Sequence, residues 1–131
     1  MRILGHGVDL VEIARIARTL DDHAERFLER CFTPDERAYA QQGGALIHER
    51  LAARFAAKEA AFKALGTGWA GGVAWTDVEV VRDLAGRPTL RLAGEFERIA
   101  RERGAGVWHV SLSHTKTHAL ASVLCLSEPG A

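Results

Sequence analysis

Residues Arg54 to Lys63, RFAAKEAAFK, form the centre of the longest helical pattern in the chain, and they place a lysine where a helix should be apolar. With Leu51 at zero, an advance of about 100° per residue puts Phe55, Phe62 and Leu65 at about 40°, 20° and 320°. Lys58 falls at about 340°, inside that stripe, while Glu59 and Lys63 lie on its edge at about 80° and 120°. Burying an unpaired ammonium costs several kcal/mol, so Lys58 either carries its head to the rim or meets an anion. Glu59 beside it, Lys63 beyond and Gly66-Thr67-Gly68 closing the helix turn the reading toward a site for a phosphate and a metal.

Outward from this helix, expected over 45–65 with Gly66 as its left-handed terminator, the two halves of the chain differ. On the N-terminal side, residues 2–9 predict a strand whose Gly5 and Gly7 mark a bulge or a close backbone approach. Helices follow over 10–20, with Ile13, Ile16, Ala17 and Leu20 inward, and over 23–30. Thr33-Pro34-Asp35-Glu36 starts a third, with Thr33 and Glu36 as a capping box, which ends near Gly43-Gly44. On the C-terminal side, Val78–Val81 and Thr89–Leu92 predict a hairpin around 83–86, and residues 94–104 a surface helix. The alternation around Trp108, Val110 and Leu112 predicts a strand paired with Ala119–Leu126 through the turn 113–117. This order implies an α+β fold with an antiparallel sheet and a long central helix.

At 131 residues the chain reads as one domain, 1–131. Lys+Arg and Asp+Glu balance at 17 each, which argues against a nucleic-acid partner. No apolar stretch suits a signal peptide or a membrane span. Cys31 and Cys125 have no zinc spacing and read as small buried hydrophobes, so the chain is expected in the cytoplasm with its thiols reduced.

Chemistry gathers in Gly7-Val8-Asp9, in Arg54 with Lys58, Glu59 and Lys63, and in Ser113-His114-Thr115-Lys116. Each has an ordinary reading: Asp9 as a helix cap, Glu59 with Lys63 as an i,i+4 pair, and the hydroxyls as turn formers. Together they suit one task. Two carboxylates from distant segments are a common minimum for Mg²⁺, which fills its shell with water and phosphate oxygens. Cationic side chains neutralise phosphate, and hydroxyls with an imidazole hold a further one. A Mg²⁺-dependent nuclease or phosphohydrolase uses similar residues; neutral charge and the lack of an aromatic-basic groove weigh against it.

These same segments carry a resemblance to the small 4′-phosphopantetheinyl transferases. Gly7-Val8-Asp9 followed by Arg15, then Phe55 with Lys58-Glu59-Ala60 and Lys63 running into Gly66-Thr67-Gly68, then Ser113-His114-Thr115 before Ala119 and Ala121, match that family's pattern in order over nearly the whole chain. The resemblance implies transfer of the phosphopantetheine arm of coenzyme A to a serine of apo-acyl carrier protein, with release of adenosine 3′,5′-bisphosphate. It implies Mg²⁺ held by Asp9 and Glu59, and catalysis by Glu59, Asp9 and Lys63, with Glu59 or a metal-bound water oriented by Asp9 as the base. Arg54, Lys58, Lys63, Gly66, Gly68, Ser113, His114 and Thr115 would hold coenzyme A. Arg15 and Arg18 would meet the acidic carrier, and the assembly would be a homotrimer with sites between subunits. Val11 stands where larger relatives place a further acid, so two protein carboxylates are expected at the metal. His6, between two glycines where an aliphatic residue would fit, has no role in this reading.

Overall fold

A computed structural model of the protein describes residues 1–68 and 72–130. In chain order these form β1 (Ile3–Glu12), α1 (Ile13–Cys31), α2 (Pro34–Gln42), α3 (Ile47–Leu65), β2 (Val78–Arg82), β3 (Pro88–Leu92), α4 (Gly94–Glu102), β4 (Ala105–His114) and β5 (His118–Ser127), with 3-10 turns at Gly44–Leu46 and Trp75–Asp77. β5 lies between β1 and β4 in an antiparallel sheet, and β2 pairs with β3 as a separate hairpin. This is the expected α+β arrangement, with α3 packed on β1 and β5. Among the described residues no helix is long and apolar enough to cross a membrane.

The period-2 alternation of β1 runs further than the sequence suggested. Asp9, Val11 and Ile13 are buried while Val8, Leu10 and Glu12 are exposed, and pairing with β5 continues to Glu12 opposite His118. The helix expected over 10–20 therefore begins at Ile13, because a β-strand that can bury Val11 and keep its ladder outcompetes three more helical residues. Asp9 is consequently a mid-strand residue rather than a helix cap. The helix expected over 23–30 is continuous with the first: both belong to α1, which bends at His23 (φ −145°, ψ 39°). The capping box that starts α2 forms as read, with Glu36 N–H donating to Thr33 Oγ1 at 3.2 Å and Thr33 N–H to Glu36 Oε1 at 3.0 Å.

Small residues determine how β1 meets α3. A methyl group on Gly5 would overlap the carbonyl oxygen of Ala64, and one on Gly7 that of Ala60. Ala60 is fully buried, and Ala64 nearly so. Both predictions for this glycine pair hold, since the β1–β5 register also shifts between Ile3 and Gly5. On the same face of the sheet, Ala119, Ala121, Val123 and Cys125 of β5 complete a core with Leu51, Ala56, Phe62 and Phe96. The other face is exposed, and carries Val8, Leu10 and Leu120, with Leu10 opposite Leu120 in register. His6 sits on this outer face, where its Nε2 lies 3.0 Å from Ser122 Oγ; the outward position is what lets a histidine replace an aliphatic residue.

Lys58 is fully buried. Its ammonium donates to Glu36 Oε1 at 2.7 Å, to the Val78 carbonyl at 2.6 Å and to the Trp75 carbonyl at 3.2 Å. All three of its hydrogens are engaged, so the expected place beside a ligand phosphate is corrected: the anion Lys58 meets belongs to the protein. Glu36 Oε2 also accepts from Val80 N–H at 2.8 Å. The pair thereby joins α2, α3 and the start of the β2–β3 hairpin. Burial lowers the lysine's affinity for its proton and Glu36 opposes that shift.

Gly7→Ala should force β1 away from α3. Steric insertion of this kind costs about 1–3 kcal/mol or more, and urea unfolding is expected to show a loss in that range. Parent-like stability in the variant would mean the strand and helix are not in direct backbone contact.

Candidate active site

Asp9 leaves β1 on the face covered by α3, one pleat beyond Gly7, and is only 7% exposed. Lys63, a turn from the end of α3, donates to Asp9 Oδ1 and to the Val8 carbonyl, each at 3.0 Å. Its side chain remains about half exposed (55%), and the third ammonium hydrogen is available to a ligand. Glu59 precedes Lys63 by one turn, on the same side of the helix. Its carboxyl is raised from the ordinary 4.5 to about 7, first by burial and then by the neighbouring Asp9, while Lys63 and Arg15 pull it down. Asp9, Glu59, Lys63 and Arg15 are thus brought together from β1, α3 and α1.

Asp9 Oδ2 is buried with no amide, hydroxyl or ammonium donor among the described residues. The neighbour beside it is Glu59, whose carboxyl resists ionising and, when protonated, hydrogen-bonds Asp9, so in the free protein the two acids share a proton rather than both carrying charge. A divalent cation would take the place of that proton, because its charge favours the ionised form of both acids. Among the described residues no group of three or more His, Cys, Asp or Glu side chains converges on one point. The paired carboxylates of Asp9 and Glu59 are the donors a hard cation would use here, with water and phosphate completing its shell.

A second group lies on the other side of α3. Arg54, Ser113 and His114 share a cleft of about 260 Å³ with Tyr39, Glu49 and Arg50. Arg54 is only 5% exposed, and its Nε has no hydrogen-bond partner among the described residues. Burial lowers its pKa, against the opposing effects of Tyr39 and Glu36. Thr115 does not line this cleft: its Oγ1 accepts from Thr117 N–H at 3.2 Å and His118 N–H at 3.1 Å, and so shapes the β4–β5 turn. Gly66 and Gly68 both have positive φ (82° and 57°), and an added Cβ on Gly68 would meet nothing within 4 Å. That loop follows Lys63 by one turn and leaves its backbone open to a ligand.

The two groups do not meet within one chain. At about 100° per residue, Glu59 and Arg54 point about 140° apart around α3. Asp9 is on one edge strand and His114 on the other, with β5 between them. Arg15 and Arg18 are exposed on the first half of α1. Tyr39, Arg50 and Glu36 were missed by sequence reading. Glu36 was visible only as a cap, since nothing in its spacing reveals a partner at Lys58; Tyr39 and Arg50 carry no local motif.

The fold that carries these two groups is shared with known proteins. The family model described as the 4′-phosphopantetheinyl transferase superfamily matches residues 5–123. The chain belongs to this superfamily. Among curated relatives, the holo-[acyl-carrier-protein] synthase of Koribacter versatilis is 49% identical over 122 residues, covering 93% of this chain and 97% of the relative. That of Methylobacterium radiotolerans is 50% identical over 97% of this chain and 96% of its own. A crystal structure of a holo-(acyl-carrier-protein) synthase from Bacillus anthracis in complex with CoA (3′,5′-ADP) superposes with a TM-score of 0.80 at 37% identity, over 98% of this chain and all of the other. The Neisseria meningitidis synthase gives 0.87 at 33% identity, over 95% of this chain and 99% of its own. The chain is an enzyme of this class, a 4′-phosphopantetheinyl transferase of the holo-[acyl-carrier-protein] synthase group.

The raised pKa of Glu59 gives the metal-free transferase a pH signature. A carboxyl whose folded pKa lies above its unfolded value contributes fully below pH 4.5, and that contribution is lost as pH rises through about 7. Glu59→Gln lacks this loss. In denaturant titrations with a chelator present, the variant should gain on the parent between pH 4.5 and 7. A stability difference that stays constant across this window would show that the two carboxyls are not held together.

Proposed function

We propose that this transferase moves the phosphopantetheine arm of coenzyme A to a serine of apo-acyl carrier protein in a Mg²⁺-dependent reaction that releases adenosine 3′,5′-bisphosphate. The observation that carries the Mg²⁺ assignment is the buried pair of carboxyls, Asp9 and Glu59, crowded together beside Lys63 with Asp9 Oδ2 bound by no amide, hydroxyl or ammonium donor among the described residues. Asp9 and Glu59 are the metal's protein ligands in this reading. A divalent cation bound there supplies Lewis-acid charge to the pyrophosphate and holds it in place. Lys63, anchored by Asp9 and the Val8 carbonyl, directs its remaining N–H to a phosphoryl oxygen and offsets the charge of the leaving group. The serine proton passes to Glu59 or to a water oriented by Asp9. Gly66 and Gly68 let backbone approach the phosphates, while Arg54, Ser113 and His114 receive the adenosine 3′-phosphate. Bacillus anthracis synthase bound to CoA (3′,5′-ADP), at 37% identity, supports the donor assignment.

Carrier docking follows from the position of α1. Arg15 is near enough to Glu59 to lower its pKa, so an acidic carrier held by Arg15 and Arg18 presents its serine to the carboxylates. With coenzyme A, Mg²⁺ and apo-carrier, mass spectrometry should show the carrier gaining one phosphopantetheine. EDTA or Glu59→Ala should abolish the gain; transfer that survives both would remove the metal from the reaction. Arg15→Glu should raise the carrier concentration required and leave the coenzyme A requirement in place, whereas equal losses would end the docking assignment.

The active form in this reading is a homotrimer with its sites between subunits. Two observations support it: the acid and arginine groups lie on opposite flanks of α3, and the outer sheet face exposes Val8, Leu10 and Leu120. A second copy of the chain is then needed to set an arginine group beside these acids, and the exposed apolar face is a surface on which it could pack. Mixing Asp9→Ala with His114→Ala chains, each inactive alone, should then restore part of the activity after co-refolding. No recovery from mixed oligomers would place the whole site within one chain.

A further inference from the structure

The peptide unit between Leu65 and Gly66 is held at both of its edges, and only one of the two holds comes from α3 itself. At the amide edge, Gly66 N–H donates to the Phe62 carbonyl at 2.9 Å and to the Lys63 carbonyl at 3.2 Å, and Thr67 N–H follows it to Phe62 at 3.1 Å. At the carbonyl edge, Leu65 accepts from Nη1 of Arg103, 38 residues further along the chain. Arg103 caps the end of α4, where its own N–H donates to the Ile99 carbonyl at 3.0 Å. That helix is anchored against α3. Phe96 is fully buried with its ring centroid 5.5 Å from that of Phe62, and its N–H donates to Asp77 Oδ2 at 3.2 Å. The guanidinium therefore reaches Leu65 from a fixed base.

The turn that follows has little stiffness of its own. Gly66 and Gly68 both adopt positive φ, 82° and 57°, and glycine leaves that region about as readily as it enters it. Because the peptide unit is planar, fixing the Leu65 carbonyl also fixes the direction in which the chain leaves the helix. Thr67 Oγ1 donates to the Gly68 carbonyl at 2.8 Å, whereas Gly68 N–H meets no acceptor among the described residues. A free N–H one turn beyond Lys63 suits a phosphoryl oxygen, yet it stands at the C-terminal end of α3, where the macrodipole disfavours anions. Arg103 answers both difficulties. Its hydrogen bond orients the turn, and its charge offsets the partial negative charge of the helix end.

We propose that Arg103 is a positioning residue of the transfer reaction, holding the Gly66–Gly68 turn in the form that receives the donor's phosphates. The proposal rests on the reading of coenzyme A as donor and adds to it a residue from α4. Steady-state transfer by the full-length protein, with coenzyme A and apo-carrier varied separately, tests it. Arg103→Leu should raise the KM for coenzyme A by about 10-fold, the loss of one charge-assisted hydrogen bond, with kcat and the KM for the carrier near the parent's. Arg103→Lys, which keeps the charge and a donor, should recover part of that loss. A merely structural role would instead lower kcat or raise both KM values together. Either of those results, like an unchanged KM for coenzyme A, would overturn the proposal. Should Arg103→Leu not fold, Arg103→Gln decides by the same split: a rise confined to coenzyme A supports the role, and no rise, or an equal one for both substrates, overturns it. A parent that leaves the carrier unmodified refutes the transfer reading itself and this role with it, a result distinct from failure of the positioning role alone.

Discussion

The approach of β1 to α3 at Gly5, Gly7, Ala60 and Ala64 is the constraint on which the rest of the structure depends. Backbone lies against backbone there, with no side chain between. At that spacing the next inward residue of the strand, Asp9, comes within reach of Lys63 and beside Glu59. A larger side chain at any of these positions would widen the gap and separate the carboxylates. Placing the acids on a strand and a helix rather than on loops also fixes their geometry before any ligand arrives, as a preorganised electrostatic site requires.

Lys58 and Glu36 serve the same end from inside the core. A buried ion pair adds little net stability compared with apolar packing, yet each partner depends strongly on the other. Here the pair connects α3 to α2 and to the carbonyls of Trp75 and Val78. From the same helix, Phe55 stacks on Trp75 and Phe62 meets it with a tilted ring. The segment returning from the Gly66–Gly68 loop is thereby tied to the helix that carries Glu59 and Lys63. The hydrogen-bond geometry of the ammonium makes that attachment directional, which apolar contacts alone do not provide.

The two flanks of α3 present opposite electrostatic problems. On one, carboxylates crowd together and raise the pKa of Glu59; on the other, guanidiniums crowd together and Arg54 keeps an unpartnered Nε. In the proposed reaction each would be relieved by a ligand of opposite sign, a cation for the acids and a phosphate for the arginines. A donor carrying phosphates at two places, with a metal at one of them, matches both. The chain's balanced charge is consistent with this division: the functional charges are segregated locally rather than expressed as a net excess.

How much was legible in advance depended on the range of the interaction. The capping box at Thr33 and Glu36, the left-handed Gly66, the hairpins and the inward face of α3 follow from local stereochemistry and periodicity, so the sequence alone determined the elements and most of the α+β arrangement. Through Gly-Val-Asp, Lys-Glu-Ala and Ser-His-Thr it also marked the segments on which the proposed function rests. It did not determine the start of α1, because strand pairing of Leu10 to Glu12 with β5 overrides the local helical pattern. Nor could it say that Lys58 answers to Glu36, that Tyr39 shares a cleft with Arg50 and Arg54, or that the acid and arginine groups lie on opposite sides of α3. Those are contacts between residues far apart in the chain, and only the packing of β1, α2 and the hairpin against α3 decides them.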